Sequence, residues 1–163
     1  MHDPVHKQFQ LRLLNMFWYA VLGGPLTLAV VMLAIPYEAI VEWLPRQMLW
    51  NVSLVALALL LATCRSFTRK RMTPDRVVAG PRPWPALERG NIDSEAFVRV
   101  QFASMRTAAL LDVIPGVVLL LAILHAEPLL ALADGVLAVV AAAIAKPDFV
   151  NTLLAAESRL RRG

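Results

Sequence analysis

Apolar residues run along this chain in long blocks, and the polar dips between them set its organisation. The most telling block lies between Thr107 and Ala145, where Leu, Val, Ala and Ile are interrupted chiefly by His125-Ala126-Glu127-Pro128. Folded once at that dip, the run gives spans at about 107–124 and 129–145. Each is close to the roughly 20 residues needed to cross a ~30 Å hydrocarbon layer. A second hairpin is predicted before it, with spans at about 14–35 and 48–64. The expected fold class is therefore all-α integral membrane: four transmembrane helices as two tandem hairpins, plus a C-terminal amphipathic interfacial helix.

Residues 1–72 form the N-terminal hairpin, 73–93 a Pro/Gly-rich cytoplasmic connector, 94–146 a long helix with the second hairpin, and 147–163 an amphipathic tail. Asp3 can cap the first helix and Pro4 suits its first position. The apolar core that follows is too long for a signal peptide and lacks an Ala-x-Ala cleavage pattern, so it stays as a span. Phe17, Trp18 and Tyr19 near its entry read as an interfacial aromatic belt, as do Tyr37, Trp43 and Trp50 further on.

Gly23-Gly24-Pro25 predicts a kink near Val21, because proline removes a helix bond. The paired glycines there let a neighbouring helix approach closely. Pro115-Gly116 is the matching interruption in the third span. Asn51-Val52-Ser53 fits a glycosylation pattern but sits at the membrane edge, which argues against use.

Arg65, Arg69, Lys70 and Arg71 abut the second span as membrane-surface cations. The stretch 73–90 is expected to hold no regular helix, with Pro81-Arg82-Pro83-Trp84-Pro85 as a stiff extended connector. Order resumes at the Asp93-Ser94 cap. The first three turns there should project from the membrane or lie along it, with Phe97, Val100, Phe102 and Met105 apolar and Arg99 and Arg106 snorkelling. In the tail, Phe149, Val150, Leu153, Leu154 and Leu160 oppose Asn151, Glu157, Arg159 and Arg161. That pattern suits a membrane surface or packing on the cytoplasmic loop.

Composition agrees: 58% of the 163 residues are hydrophobic and 17% charged. Soluble domains carry about 45–50% and 25%. The net charge of +4 does not point to nucleic acid, because the cations cluster at the ends of apolar segments. Every Lys and Arg except Arg46 falls in 1–13, 65–106 or 146–163. By the positive-inside rule both termini are then cytoplasmic, in a membrane of bacterial inner-membrane type.

The candidate chemistry is sparse. Asp112 and Asp134 lie inside spans, where a carboxylate usually faces the bundle interior and often marks function. Their depths differ by ~10 Å or more, so they are not expected to pair. Asp134 could meet Asn51 and Ser53, with His125 and Glu127 nearby; Asp112 could meet Thr63, Cys64 or Asn15. They are either interhelical glue or the ends of a proton or cation path. Cys64 is alone, so no intramolecular disulfide forms, and no Cys/His cluster has zinc spacing. Asp75, Glu88, Asp93 and Glu95 match no reaction template. The expected function is a non-catalytic accessory subunit or scaffold, with no metal or cofactor. Its partners would be membrane lipid and a protein or second copy. A small oligomeric transporter or channel is the alternative.

Overall fold

The computed structural model describes residues 4–35, 38–41, 43–80 and 92–162. Within these the chain is all-helical: eight helices and no strand. Expectations for Asp3, Tyr37, Pro81–Pro85 and Glu88 fall outside the described residues.

Helices α1 (Pro4–Leu22) and α2 (Gly24–Ala34) form one apolar rod bent by 46°. Pro25 has no N–H to give the Val21 carbonyl and its ring crowds that carbonyl, so the axis breaks. The break falls at Gly23, close to the expected Val21. Helices α5 (Ile92–Leu111) and α6 (Val113–Leu124) repeat the device, bent by 42° at Asp112, three residues before Pro115. Two helices, α3 (Arg46–Arg71) and α7 (Pro128–Ala145), are unbroken and long and apolar enough to cross a membrane. The number rises to four if each bent pair counts as one crossing.

Two boundaries differ from the sequence reading. Helix α3 does not end at Cys64 but continues through the basic run to Arg71. Lys and Arg are good helix formers, and cations complement the negative end of the helix dipole. Residues 74–79, expected to be irregular, form the short helix α4 (Pro74–Ala79), with Pro74 in its first turn. Helix α5 packs against α1, α4 and α8 (Phe149–Leu160). Ala96, Val100 and Ser104, spaced one turn apart, are buried there, while Phe102 and Met105 face outward.

The tail takes the packed alternative. Asp148 caps α8 by accepting from the Asn151 N–H at 3.1 Å, and Phe149, Leu153 and Ala156 are buried. Lys7 bridges Glu157 at 2.8 Å, Arg161 meets Asp93 at 3.4 Å, and Arg159 pairs with Asp75.

Both hairpin turns lie together at the opposite end. The N–H groups of Ile40 and Val41 donate to the Leu124 carbonyl at 2.9 and 3.2 Å. Helix α6 ends with Glu127 N–H on Ala122 O and Ala126 N–H on Ile123 O, a Schellman closure that puts Ala126 at φ 51.

Helix α7 is the centre, packed by α1, α2, α3 and α6. Trp18 is not part of an interfacial belt. It is 1% exposed, its indole N–H donates to the Ala142 carbonyl at 2.9 Å, and its ring meets Phe149 edge-on at 6.2 Å. Ala142 is among the last four carbonyls of α7, which lack regular helical partners, so a tryptophan from the first helix closes the end of the seventh.

Candidate functional site

The polar groups inside the bundle gather around α7. Asp134 is 0% exposed, and neither carboxyl oxygen has a hydrogen-bond partner. Ser53 on α3 is also buried, with an unpartnered hydroxyl. The two residues stand six and seven positions inside the starts of their helices, hence at a similar depth of ~10 Å along α7 and α3. Helices α3 and α7 pack directly on one another.

The other expected neighbours of Asp134 are engaged elsewhere. Asn51 is exposed, on the side of α3 that does not meet the bundle. Glu127 is held by Arg46, at 2.5 Å from Nε to Oε1 and 3.0 Å from Nη2 to Oε2, and accepts from the Trp50 indole at 3.4 Å. His125 packs its ring 6.0 Å from that of Trp43.

Asp112 sits at the α5–α6 bend, half-buried, with Oδ1 enclosed and unpartnered. Its backbone carries the helix across the bend: its N–H donates to Ala108 O at 2.9 Å and its carbonyl accepts from Gly116 N–H at 2.8 Å. None of its expected partners reaches it. Thr63 donates to Leu59 O at 2.7 Å, Cys64 to Leu61 O at 3.3 Å and Asn15 to Leu11 O at 2.8 Å. Hydroxyl, thiol and amide donors on a helix find their own preceding turn first. Asp112 and Asp134 share no hydrogen bond.

The close helix contact is not where the sequence placed it. A Cβ on Gly24 or Gly116 would meet nothing within 4 Å, and one on Gly23 would meet only the Tyr19 carbonyl of its own helix turn. Pro25 and Pro115 are buried and bend the rods without bringing those glycines to a neighbour. It is Gly135, beside Asp134, that lets α2 approach: a Cβ there would fall 2.5 Å from Leu26 Cα. Sequence reasoning missed it, although a lone glycine in an Ala/Leu/Val run is the usual sign of such a contact.

At the end of the bundle where α3 finishes, Arg65, Arg69, Lys70 and Arg71 are all exposed. Arg71 stacks over Phe67 at 4.8 Å and Arg106 over Phe102 at 5.8 Å. Arg99 does not snorkel; it is buried, bonded to Glu95 at 2.6 Å and to the Val78 carbonyl. Two cavities open here. One of 160 Å³ is lined by Arg71, Arg76, Arg99 and Arg106. The other, of 470 Å³, is lined by Arg65, Arg69 and Lys146 with the unpartnered hydroxyl of Thr68.

Among the described residues no group of three or more His, Cys, Asp or Glu could hold a metal ion. No known family, curated protein or solved structure matches the chain.

Proposed function

We propose that the chain is a non-catalytic multi-pass membrane protein, an accessory subunit or scaffold that offers α3 to a helix of a partner or of a second copy. The open side of α3 carries this reading: 28% of its apolar window is buried inside the bundle, against 44% for α7. Along that side the small residues Ala58, Ala62 and Ser66 recur every four positions beside exposed Val55 and Leu59. In lipid, burying apolar surface gives helices little reason to associate, and small residues at this spacing allow the close packing that does.

In this reading each bent pair is one crossing, making four. The hairpin turns face outward, and both termini lie with the basic ends on the cytoplasmic side of a bacterial inner membrane. The concentration of Arg65, Arg69, Lys70 and Arg71 at the end of α3 supports that orientation.

Cys64 is the single cysteine, so a Cys64→Ser background isolates a cysteine placed at will. In native membranes, Ala58→Cys and Ala62→Cys should each yield a discrete larger species with a bifunctional maleimide. Leu57→Cys, which faces the bundle, should yield none. If both outward positions stay uncrosslinked, the reading is lost.

A second reading rests on the unpartnered oxygens of Asp134: a small oligomeric transporter or channel coupling protons or cations through Asp134 and Asp112. There, Asp134→Asn and Asp112→Asn abolish flux in reconstituted vesicles while the helical content stays. Unchanged flux in both removes it.

A further inference from the structure

The smaller of the two basic cavities has the chemistry of a phosphate site and the position of a lipid site. Its guanidinium groups come from three elements: Arg71 from the end of α3, Arg76 from α4, and Arg99 and Arg106 from one face of α5. Seven residues separate the last two, which is close to two helical turns. Arg99 is tied to Glu95 and to the Val78 carbonyl, so its charge is already answered. Arg71 and Arg106 rest on the neutral rings of Phe67 and Phe102. Among the described residues, no carboxylate bridges Arg71, Arg76 or Arg106, and no acidic residue lines the cavity. Three guanidinium forks without an acid call for an oxyanion, and the planar fork fits phosphate oxygens two at a time.

Size and surroundings narrow the ligand. At 160 Å³ the cavity is well below the ~300–1,000 Å³ of sites that enclose a whole small molecule. It has room for one anionic group whose remainder would lie outside. What lies outside is apolar: beyond Arg106, the same α5–α6 face continues as Leu110, Val113, Val117 and Leu120, between 44% and 55% exposed. From Arg106 to Leu120 this track is ~21 Å long at 1.5 Å per residue, more than half of a ~30 Å hydrocarbon layer. A soluble phosphate uses the cavity and leaves the track empty; a phospholipid uses both.

We propose that this cavity is the headgroup site of an anionic phospholipid, with its phosphate among Arg71, Arg76 and Arg106 and an acyl chain along Leu110, Val113 and Val117. The site rests on α5–α6 lying in a bilayer, and not on whether α3 has a protein partner. Basic recesses between membrane helices hold anionic headgroups by this combination of fork and charge.

The test is native mass spectrometry of the full chain in neutral detergent with phosphatidylglycerol, phosphatidylcholine of the same acyl chains, or inorganic phosphate. Phosphatidylglycerol should be retained roughly tenfold more tightly than phosphatidylcholine, and inorganic phosphate should neither bind nor compete. The double variant Arg76→Gln/Arg106→Gln should bring phosphatidylglycerol down to the phosphatidylcholine level. Arg65→Gln/Arg69→Gln removes the same charge outside this cavity and should leave the preference intact. If the first pair misfolds by circular dichroism, Arg106→Lys keeps the charge, removes the fork and should weaken retention several-fold. Equal retention of the two lipids, or an equal loss in the control pair, overturns the proposal. Competition by inorganic phosphate overturns it in favour of a soluble anion.

Discussion

Helices α3 and α7 play the same part in their hairpins, each the unbroken rod after a bent one, yet they sit very differently. Helix α7 buries Ala131, Gly135, Ala138, Ala142 and Ala145. With so little side chain in the way, α1, α2, α3 and α6 all reach its backbone. Helix α3 buries Leu49, Leu57 and Leu60 with Ser53, Cys64 and Thr68 on a single face, and its remaining sides carry exposed Met48, Val52, Val55 and Leu59. Both helices are apolar, so hydrophobicity does not choose between them. Side-chain size does: small residues admit neighbours from several directions, while a leucine row takes them from one.

Four substitutions sharpen or break that contrast. The largest effect belongs to Gly135→Val, whose Cβ would press on Leu26 Cα and N at 2.5 and 2.8 Å. Backbone cannot yield as a flexible side chain can, so we expect a loss of about 3 kcal/mol or more in micelle unfolding. A wild-type midpoint would show that α2 and α7 are not clasped. Next comes Asp134→Leu, which replaces two buried, unpartnered oxygens with apolar volume. Stability should rise by roughly 1–3 kcal/mol; a fall would mean the carboxyl is held by something outside this chain. Trp18→Phe keeps a ring against Phe149 but removes the bond to Ala142 O, and should cost about 1 kcal/mol. The smallest change is Ala58→Leu on the open side of α3. It should move the unfolding midpoint by less than about 0.5 kcal/mol while sharply reducing crosslinking through Ala62→Cys.

Much of this architecture is readable from residue order alone, because a run of Leu, Val and Ala long enough to cross lipid has few other uses. The proline positions are equally legible: Pro25 and Pro115 each lie in the first turn of a helix, and the rod bends just upstream of them, by 46° and 42°. What escaped was anything decided between helices. Trp18 reads as a belt residue when only its distance from the span entry is known; its bond partner lies 124 positions away. Along the sequence Gly23 and Gly24 look more suited to close packing than Gly135, since two adjacent glycines remove more bulk than one. Yet the face that a glycine presents depends on the bend beside it. Asn51 and Ser53, two residues apart, read as one polar pair, but a helix turns ~200° over that step, so one faces the bundle and the other faces away. The length of α3 is hidden for another reason: charge marks where a helix leaves apolar surroundings, not where its backbone stops hydrogen bonding.

The bridge between Lys7 and Glu157 spans 150 positions of sequence. During synthesis α1 emerges long before α8, so this contact is unavailable until residue 157 has been made. Helix α8 therefore arrives when α1, α4 and α5, the helices it rests on, already exist. A chain halted before Phe149 would leave Lys7 on α1 without the Glu157 carboxylate.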